Sequence, residues 1–241
     1  LTDPAVAATL REHLEHYHIR EQLELQDISR TIDAVLVAGP GAREAMTALG
    51  VASLPEAAAS HVTCRLGDLE ARVVRIMGQG ADGYQLQVAA GMGTAVAERL
   101  MAVGIARGDL AALEALRIES AYPAAADIPP KTLPQELGRD ARAISFTKGC
   151  YLGQETVARL DALGHVNRRL TLVAIDAPAP PPVPTPILRD GAEAGLVTSA
   201  CLSPRVGGAV GLGIVAVKML AAGGLTVAGA SARPIEQGAL G

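Results

Sequence analysis

The sequence predicts an α+β protein: a split-βαβ (ferredoxin-like) core over residues 1–175, followed by a C-terminal β-barrel domain over residues 176–241. Three observations carry this. A strand, a Gly-x-Gly turn and a helix occur in that order twice, with Gly39 matching Gly91 and Gly41 matching Gly93. Residues 176–186 hold six prolines in eleven positions, an extended and stiff connector. Beyond it, short apolar runs alternate with glycine turns, as in a small barrel or sandwich.

Taken in order, Pro4 to Tyr17 places Ala7, Leu10, Leu14 and Tyr17 at helical spacing behind Asp3 and Pro4, a plausible helix start. Gln22 to Ile28 reads as a strand with Leu23, Leu25 and Ile28 as its apolar positions. Ala34 to Ala38 is a second strand, and a helix runs from Gly41 to about Leu49. Further strands are expected at His61–Leu66, Glu70–Met77 and Tyr84–Ala89, and then a helix over Ala95–Val103. Gly91-Met92-Gly93 looks like part of a dinucleotide fingerprint, with Asp109 at a suitable distance. Val96 stands where the third glycine belongs, however, and the flanking strands read as antiparallel neighbours. A tight turn is the better reading. Another helix covers Asp109 to Arg117. The prolines 123, 129, 130 and 134 then mark a loop, and a strand is expected over Leu170–Ile175. In the tail, Gly195–Ser199, Ala209–Lys218 and Leu225–Ala228 are the strand candidates.

Composition narrows the function. A chain of 241 residues, 49% of them hydrophobic, can bury a sizeable core. A formal charge of −4 lacks the basic surface that direct nucleic-acid binding requires. No apolar stretch reaches the ~18 residues of a membrane span, and neither a membrane segment nor a signal peptide is expected in this sequence. Cys64, Cys150 and Cys201 form neither a disulfide framework nor a zinc pattern, which suits a reducing, cytoplasmic setting. His13, His16 and His18 lack a partner at firm ligand spacing, so no metal site is expected.

The chemistry concentrates in Thr147-Lys148-Gly149-Cys150-Tyr151-Leu152-Gly153-Gln154-Glu155. Gly149 and Gly153 permit a tight loop, while Gln154 and Glu155 open a helix, where negative charge suits the helix dipole. Glu155 and Arg159 stand at the spacing of an i,i+4 pair. A thiol flanked by a lysine and a helix start is set up as a reactive one. Lys148 is notable because Lys131 and Lys218 are the only other lysines among 21 basic residues. Tyr122, Phe146 and Tyr151 bring most of the chain's few aromatics to the same region. By contrast, Cys64 and Cys201 sit in or beside expected strands and read as small buried hydrophobes.

Lys-Gly-Cys-Tyr-x-Gly-Gln-Glu resembles the signature of YgfZ-type folate-binding proteins, relatives of the aminomethyltransferase (T-protein) of glycine cleavage. Arg117-Ile-Glu119 with Tyr122-Pro123, Leu133-Pro-Gln-Glu-Leu137, Gly195-Leu-Val-Thr-Ser199 and Ser203-Pro204 add to the resemblance. It implies a tetrahydrofolate site. Glu119 would accept the paired N–H groups of the pterin edge, and Tyr122 and Tyr151 would offer stacking faces. Lys148, Arg168 and Arg169 would meet the anionic glutamyl tail. Arg117, Gln154 and Glu155 belong to the same set, and Cys150 would be the functional thiol. The implied role is an accessory protein that supports iron–sulfur enzymes as clients, including those that modify tRNA. The alternative is a folate-dependent aminomethyltransferase. The resemblance also implies a family segment before Leu1, holding the transferase's assisting Asp, since Leu1–Leu49 resembles the family's middle. The folate-binding domain is therefore expected to be incomplete at its N-terminus.

Overall fold

A computed structural model of the chain describes residues 6–20, 22–76, 83–220 and 223–236. The chain divides into two compact units, residues 1–112 and 113–241.

In the first unit, helix α1 (Ala7–Tyr17) is followed by strand β1 (Ile32–Ala38), helix α2 (Ala42–Ala48) and strands β2 (His61–Leu66), β3 (Leu69–Ile76) and β4 (Gly83–Ala89). Helix α3 (Gly93–Ala102) comes next. The sheet order is β1-β4-β3-β2, antiparallel throughout. Side chains alternate across each strand, so Tyr84, Leu86 and Val88 of β4 share one face with Val37, Ala71, Val73 and Leu66. Against that face pack Met46 of α2 and Val96 and Leu100 of α3, one helical turn apart. Burying each such side chain contributes roughly 1.5–3 kcal/mol before entropy is counted.

The two strand–turn–helix units are direct neighbours, with Ile32 of β1 opposite Ala89 of β4. Asp33 ties them together: its Oδ2 accepts the backbone N–H groups of Gly91 and Gly93, each at 2.9 Å. Those amides are the donors a phosphate would need at the start of α3, and a carboxylate of the chain itself holds them. With the antiparallel pairing, this disposes of the dinucleotide reading. Asp109, the acid that reading would have used, caps the next helix through its Oδ1, which accepts the Ala112 N–H at 2.7 Å.

The strand expected at Gln22–Ile28 does not form. Leu23 and Ile28 are exposed, and Asp27 Oδ1 accepts both the N–H (2.9 Å) and the hydroxyl (2.6 Å) of Ser29, which turns the chain before β1. The part of the α1 expectation that falls on residues 4 and 5, and Met77 of the β3 expectation, lie outside the described residues. His13 and His16 each set a ring against Tyr17 at 4.9 Å.

The second unit holds helix α4 (Leu110–Glu119, its first turn preceding the boundary), α5 (Asp140–Ala143) and α6 (Gln154–Leu163). It also holds a closed barrel. Strands β5 (Arg168–Ile175), β6 (Thr185–Arg189), β7 (Ala192–Ser203), β8 (Gly208–Ala216), β9 (Leu225–Val227) and β10 (Ala230–Ile235) close in the order β10-β5-β8-β7-β6-β9. A short helix α7 (Val217–Leu220) follows β8. The α+β fold with a C-terminal barrel is thus present. The boundary expected after Ile175 falls inside the second unit, because β5 is itself a barrel strand. It pairs with β8 from Arg168 opposite Ala216 to Ile175 opposite Ala209, and with β10 beyond. β5 is buried on both sides: Val173 and Ile175 join one cluster with Ile187, Val197, Val215 and Leu225, while Leu170 and Leu172 join another with Ile118 of α4, Leu212 and Ile214. Among the described residues, no helix is long and apolar enough to cross a membrane.

Candidate functional site

The hydrogen-bonded geometry of the second unit starts at the end of α4. Arg117 lies there, 13% exposed at its side chain, and all five of its N–H groups have partners. Nε and Nη2 meet the Glu114 carboxylate, Nη1 donates to the Tyr122 carbonyl oxygen (2.6 Å) and to Asp127 Oδ2 (2.7 Å), and Nη2 also donates to Ser199 Oγ (2.7 Å). Burial opposes the charge, but the Glu114 hydrogen bond and the Asp127 charge outweigh it and raise the guanidinium above its ordinary range. Arg117 therefore positions its neighbours and has no donor left for a ligand.

Asp127 is the hub of that arrangement and was not singled out from the sequence. It is fully buried in a 3₁₀ turn, Ala125–Asp127. Oδ2 accepts from Arg117 and from the Ala124 N–H (2.9 Å), and Oδ1 accepts the hydroxyls of Thr198 (2.5 Å) and Ser199 (2.8 Å) on β7. Both hydroxyls stand at the point where the β7–β8 register shifts, between Val197 and Ser199. The bulge turns two neighbouring hydroxyls toward one carboxylate.

Glu119 is likewise nearly buried. Its Oε1 accepts the Ser203 hydroxyl at 2.5 Å, and Oε2 lies 3.4 Å from Arg205 Nε. Arg168 is gripped by Glu136, with Nε and Nη2 each 3.0 Å from a carboxylate oxygen. Glu136 in turn accepts the Leu133 N–H in the 3₁₀ turn Pro134–Leu137. Arg168 so closes the turn onto β5 and is committed within the fold.

The motif loop behaves differently. Ser145 Oγ accepts the Lys148 N–H (3.2 Å), and Gln154 Oε1 accepts the Tyr151 N–H (3.3 Å), which locks the loop ahead of α6. Gly153 makes the helix entry in the left-handed region at φ 85°, the one place in the loop where glycine is required. Lys148 Nζ sits 4.3 Å from the Tyr151 ring centroid, a cation–π contact. Beneath them lies a cavity of about 70 Å³ lined by Pro134, Ala143, Ile144, Ser145, Lys148, Tyr151 and Val157. The three aromatics do not share one stacking site. Tyr122 lies under Arg139 at 4.3 Å, Tyr151 pairs with Lys148, and Phe146 is half exposed. Glu155 is exposed, and no ion pair joins it to Arg159 among the described residues.

The thiols separate cleanly. Cys150 is exposed. Burial pushes the Cys64 thiol up, and burial, then the charges of Glu119 and Glu114, push Cys201 up to about 11. Folded protein treated with iodoacetamide near neutral pH should be labelled at Cys150 at least about tenfold faster than at either other position, because only thiolate reacts. Peptide mass spectrometry reads this. Equal labelling of Cys64 would remove the distinction.

The GCVT N-terminal domain family matches residues 2–148, and the glycine cleavage T-protein C-terminal barrel domain matches residues 168–235. An aminomethyltransferase of Synechocystis sp. is 27% identical over 208 residues, covering 86% of this chain and 56% of its own length. The tRNA-modifying protein YgfZ of Colwellia psychrerythraea is 62% identical over 39 residues, 16% of this chain and 12% of its own. The crystal structure of the glycine cleavage aminomethyltransferase T of Bartonella henselae superposes with a TM-score of 0.74 at 21% identity, covering 99% of this chain and 67% of that one, a likeness of fold. The chain spans about half the length of the curated relatives it matches.

Proposed function

Because the chain belongs to the glycine cleavage T-protein (GCVT) family, we propose that it binds a reduced folate and serves as an accessory protein to iron–sulfur enzymes, with Cys150 as its functional thiol. The observation that carries this reading is the motif loop: an exposed thiol two residues from a lysine that stands over a cavity with Tyr151. The short stretch of high identity to a tRNA-modifying relative supports the same branch.

A folate reading draws on these residues. Glu119 would be the carboxylate that takes a pterin N–H pair, through lone pairs beyond those that Ser203 and Arg205 occupy. The Lys148–Tyr151 cavity offers a cation and a phenol for an anionic group. Arg117 and Arg168 act by holding Asp127, Ser199 and Glu136 in place. When bound, the folate supplies the one-carbon chemistry. The chain supplies grip, orientation and a thiol within the same unit.

Folinic acid titrated calorimetrically into the parent and into Glu119→Gln tests the binding half. Loss of a charge-assisted paired contact should weaken binding by about 1.5–3 kcal/mol, ten- to hundred-fold. Ser203→Ala serves as the control for losing the hydroxyl alone, and equal affinity in parent and Glu119→Gln would take Glu119 out of the site. The accessory half is read in cells lacking their own YgfZ-type protein, where Cys150→Ala should fail to restore iron–sulfur enzyme activity that the parent restores. The second reading, an aminomethyltransferase, is favoured by the relative that matches over most of this chain. Turnover with tetrahydrofolate and an aminomethylated lipoyl carrier would establish it instead.

A further inference from the structure

We propose that Arg205 is a specificity-determining residue of the Glu119 site: its guanidinium guards the carboxylate and yields its place to a ligand that brings its own pair of N–H groups. The proposal rests on the folate reading only for the source of that ligand.

Glu119 stands against local preference. It closes α4, at the end of a helix where the dipole disfavours negative charge, and its side chain is only 4% exposed. The two other buried carboxylates of the unit are amply served. Asp127 accepts from four donors, and Glu136 from the Leu133 N–H and two nitrogens of Arg168. Among the described residues Glu119 has one hydrogen bond, from Ser203, and one ion pair, with Arg205 Nε at 3.4 Å. Charge-assisted hydrogen bonds run to about 2.7–2.9 Å, so this pair is slack. Arg168 shows the contrast, forked onto Glu136 by two bonds of 3.0 Å. A buried carboxylate so sparsely served gains from better donors.

The turn that carries Arg205 is built without its side chain. Ser203 Oγ accepts the Val206 N–H at 3.0 Å while it donates to Glu119, and the Gly207 N–H closes onto the Ser203 carbonyl oxygen at 2.9 Å. Val206 packs on the cluster that holds Ile118 and Ala121, which keeps the turn against the end of α4. Of the two groups on Glu119, Ser203 is buried and Arg205 is 43% exposed, so the solvent side of the carboxylate belongs to Arg205. A guanidinium presents N–H groups on neighbouring nitrogens of one carbon. The amino group and ring N–H of a pterin, or of isocytosine, present the same pattern on a neutral ring. Such a ligand replaces Arg205 donor for donor, whereas one without the pair offers nothing in exchange. The work of displacing Arg205 is subtracted from the affinity either way.

The test titrates folinic acid, a tetrahydropterin without the glutamyl tail, and isocytosine calorimetrically into the full chain as parent, Arg205→Ala, Arg205→Lys and Glu119→Gln. Arg205→Ala should bind all three about three- to tenfold tighter than the parent, because nothing has to yield. Arg205→Lys, which keeps the charge, should stay near the parent, and Glu119→Gln should lose affinity. Salt is a second readout: screening the ion pair should tighten uncharged isocytosine in the parent and leave Arg205→Ala flat. Tighter tetrahydropterin and isocytosine in a chain that ignores folinic acid would keep the guard and discard the folate reading. Folinic acid bound equally by parent and Arg205→Ala, but less by Glu119→Gln, would overturn the guard and leave the folate reading standing. Weaker folinic acid binding in Arg205→Ala would make Arg205 a cation for the tail and overturn the guard as well. So would a failure of both tetrahydropterin and isocytosine to bind any of the four proteins.

Discussion

Asp127→Ala is expected to cost the folded chain about 3–5 kcal/mol, the range for breaking a buried charge pair by removing one partner. The carboxylate is fully buried and serves four donors: the Arg117 guanidinium, the Ala124 N–H and the hydroxyls of Thr198 and Ser199. Its removal leaves a guanidinium that is 13% exposed with Glu114 as its remaining counter-charge, and it takes the acceptor from the Ser199 hydroxyl and the Ala124 N–H at the same time, while the Thr198 hydroxyl keeps the Leu212 carbonyl oxygen. Asp127→Asn keeps an acceptor oxygen and should lose less. Arg117→Met in combination should lose far less than the sum, because the two residues act as one unit. With two units in the chain, a single urea midpoint is a blunt reading. Hydrogen exchange of β7 and β8 amides reports the second unit directly. An Asp127→Ala protein with parental protection at Ser199 and Leu212 would show that the hub contributes nothing.

Gly213→Ala should be as damaging for a different reason. A Cβ there would stand 1.8 Å from the Leu196 carbonyl oxygen and 2.9 Å from Val197 Cα, all backbone. Strands β7 and β8 approach so closely at this position, opposite Val197 and one step from the bulge, that only a hydrogen fits. Flexible side chains can step aside from an added methyl, but two paired backbones cannot. The cost should be about 3 kcal/mol or more, at the upper end of overpacking. Gly207→Ala is the matched control. Its φ is 72°, but nothing lies within 4 Å, so it carries only the left-handed strain of about 1–2 kcal/mol. If Gly213→Ala melts no lower than Gly207→Ala, the close approach is not rigid.

Local pattern was enough where an element's evidence is local. β2, β3, β4 and α3 are legible because alternation or helical spacing is bounded by glycine turns. β6 and β10 were not, since β6 begins within the proline-rich run at Thr185-Pro186 and β10 carries arginine and proline among its residues. Their strand character comes from partners far away in sequence, β7 and β9 for the one and β5 and β9 for the other. Conversely Gln22–Ile28 had the alternation and found no ladder. In the site, the motif loop was legible because glycine, lysine and cysteine stand together. The partners of Arg117 and Arg168 were hidden, since Asp127 sits in an alanine-rich loop and Glu136 in a proline turn. An arginine's sequence neighbours do not say whether its charge faces a ligand or a carboxylate of its own chain. Arg205 drew no notice as a single residue, because it meets Glu119 only once the fold has brought the β7–β8 turn to the end of α4.

The membership of β5 in the barrel also fixes an order of events as the chain leaves the ribosome. Val173 cannot meet Pro234, nor Ile175 meet Ala232, until the last strand has been synthesised. Until then β5 has an open edge, and β9 lacks one of its neighbours. Unpaired edges invite pairing with other chains. Asp127 waits as well, for the hydroxyls of Thr198 and Ser199 some seventy positions later. Nascent chains stalled before Ala230 should therefore need chaperone protection that the released chain does without, and a stop codon at Gly229 should send the product into aggregates although most of the strands are already made.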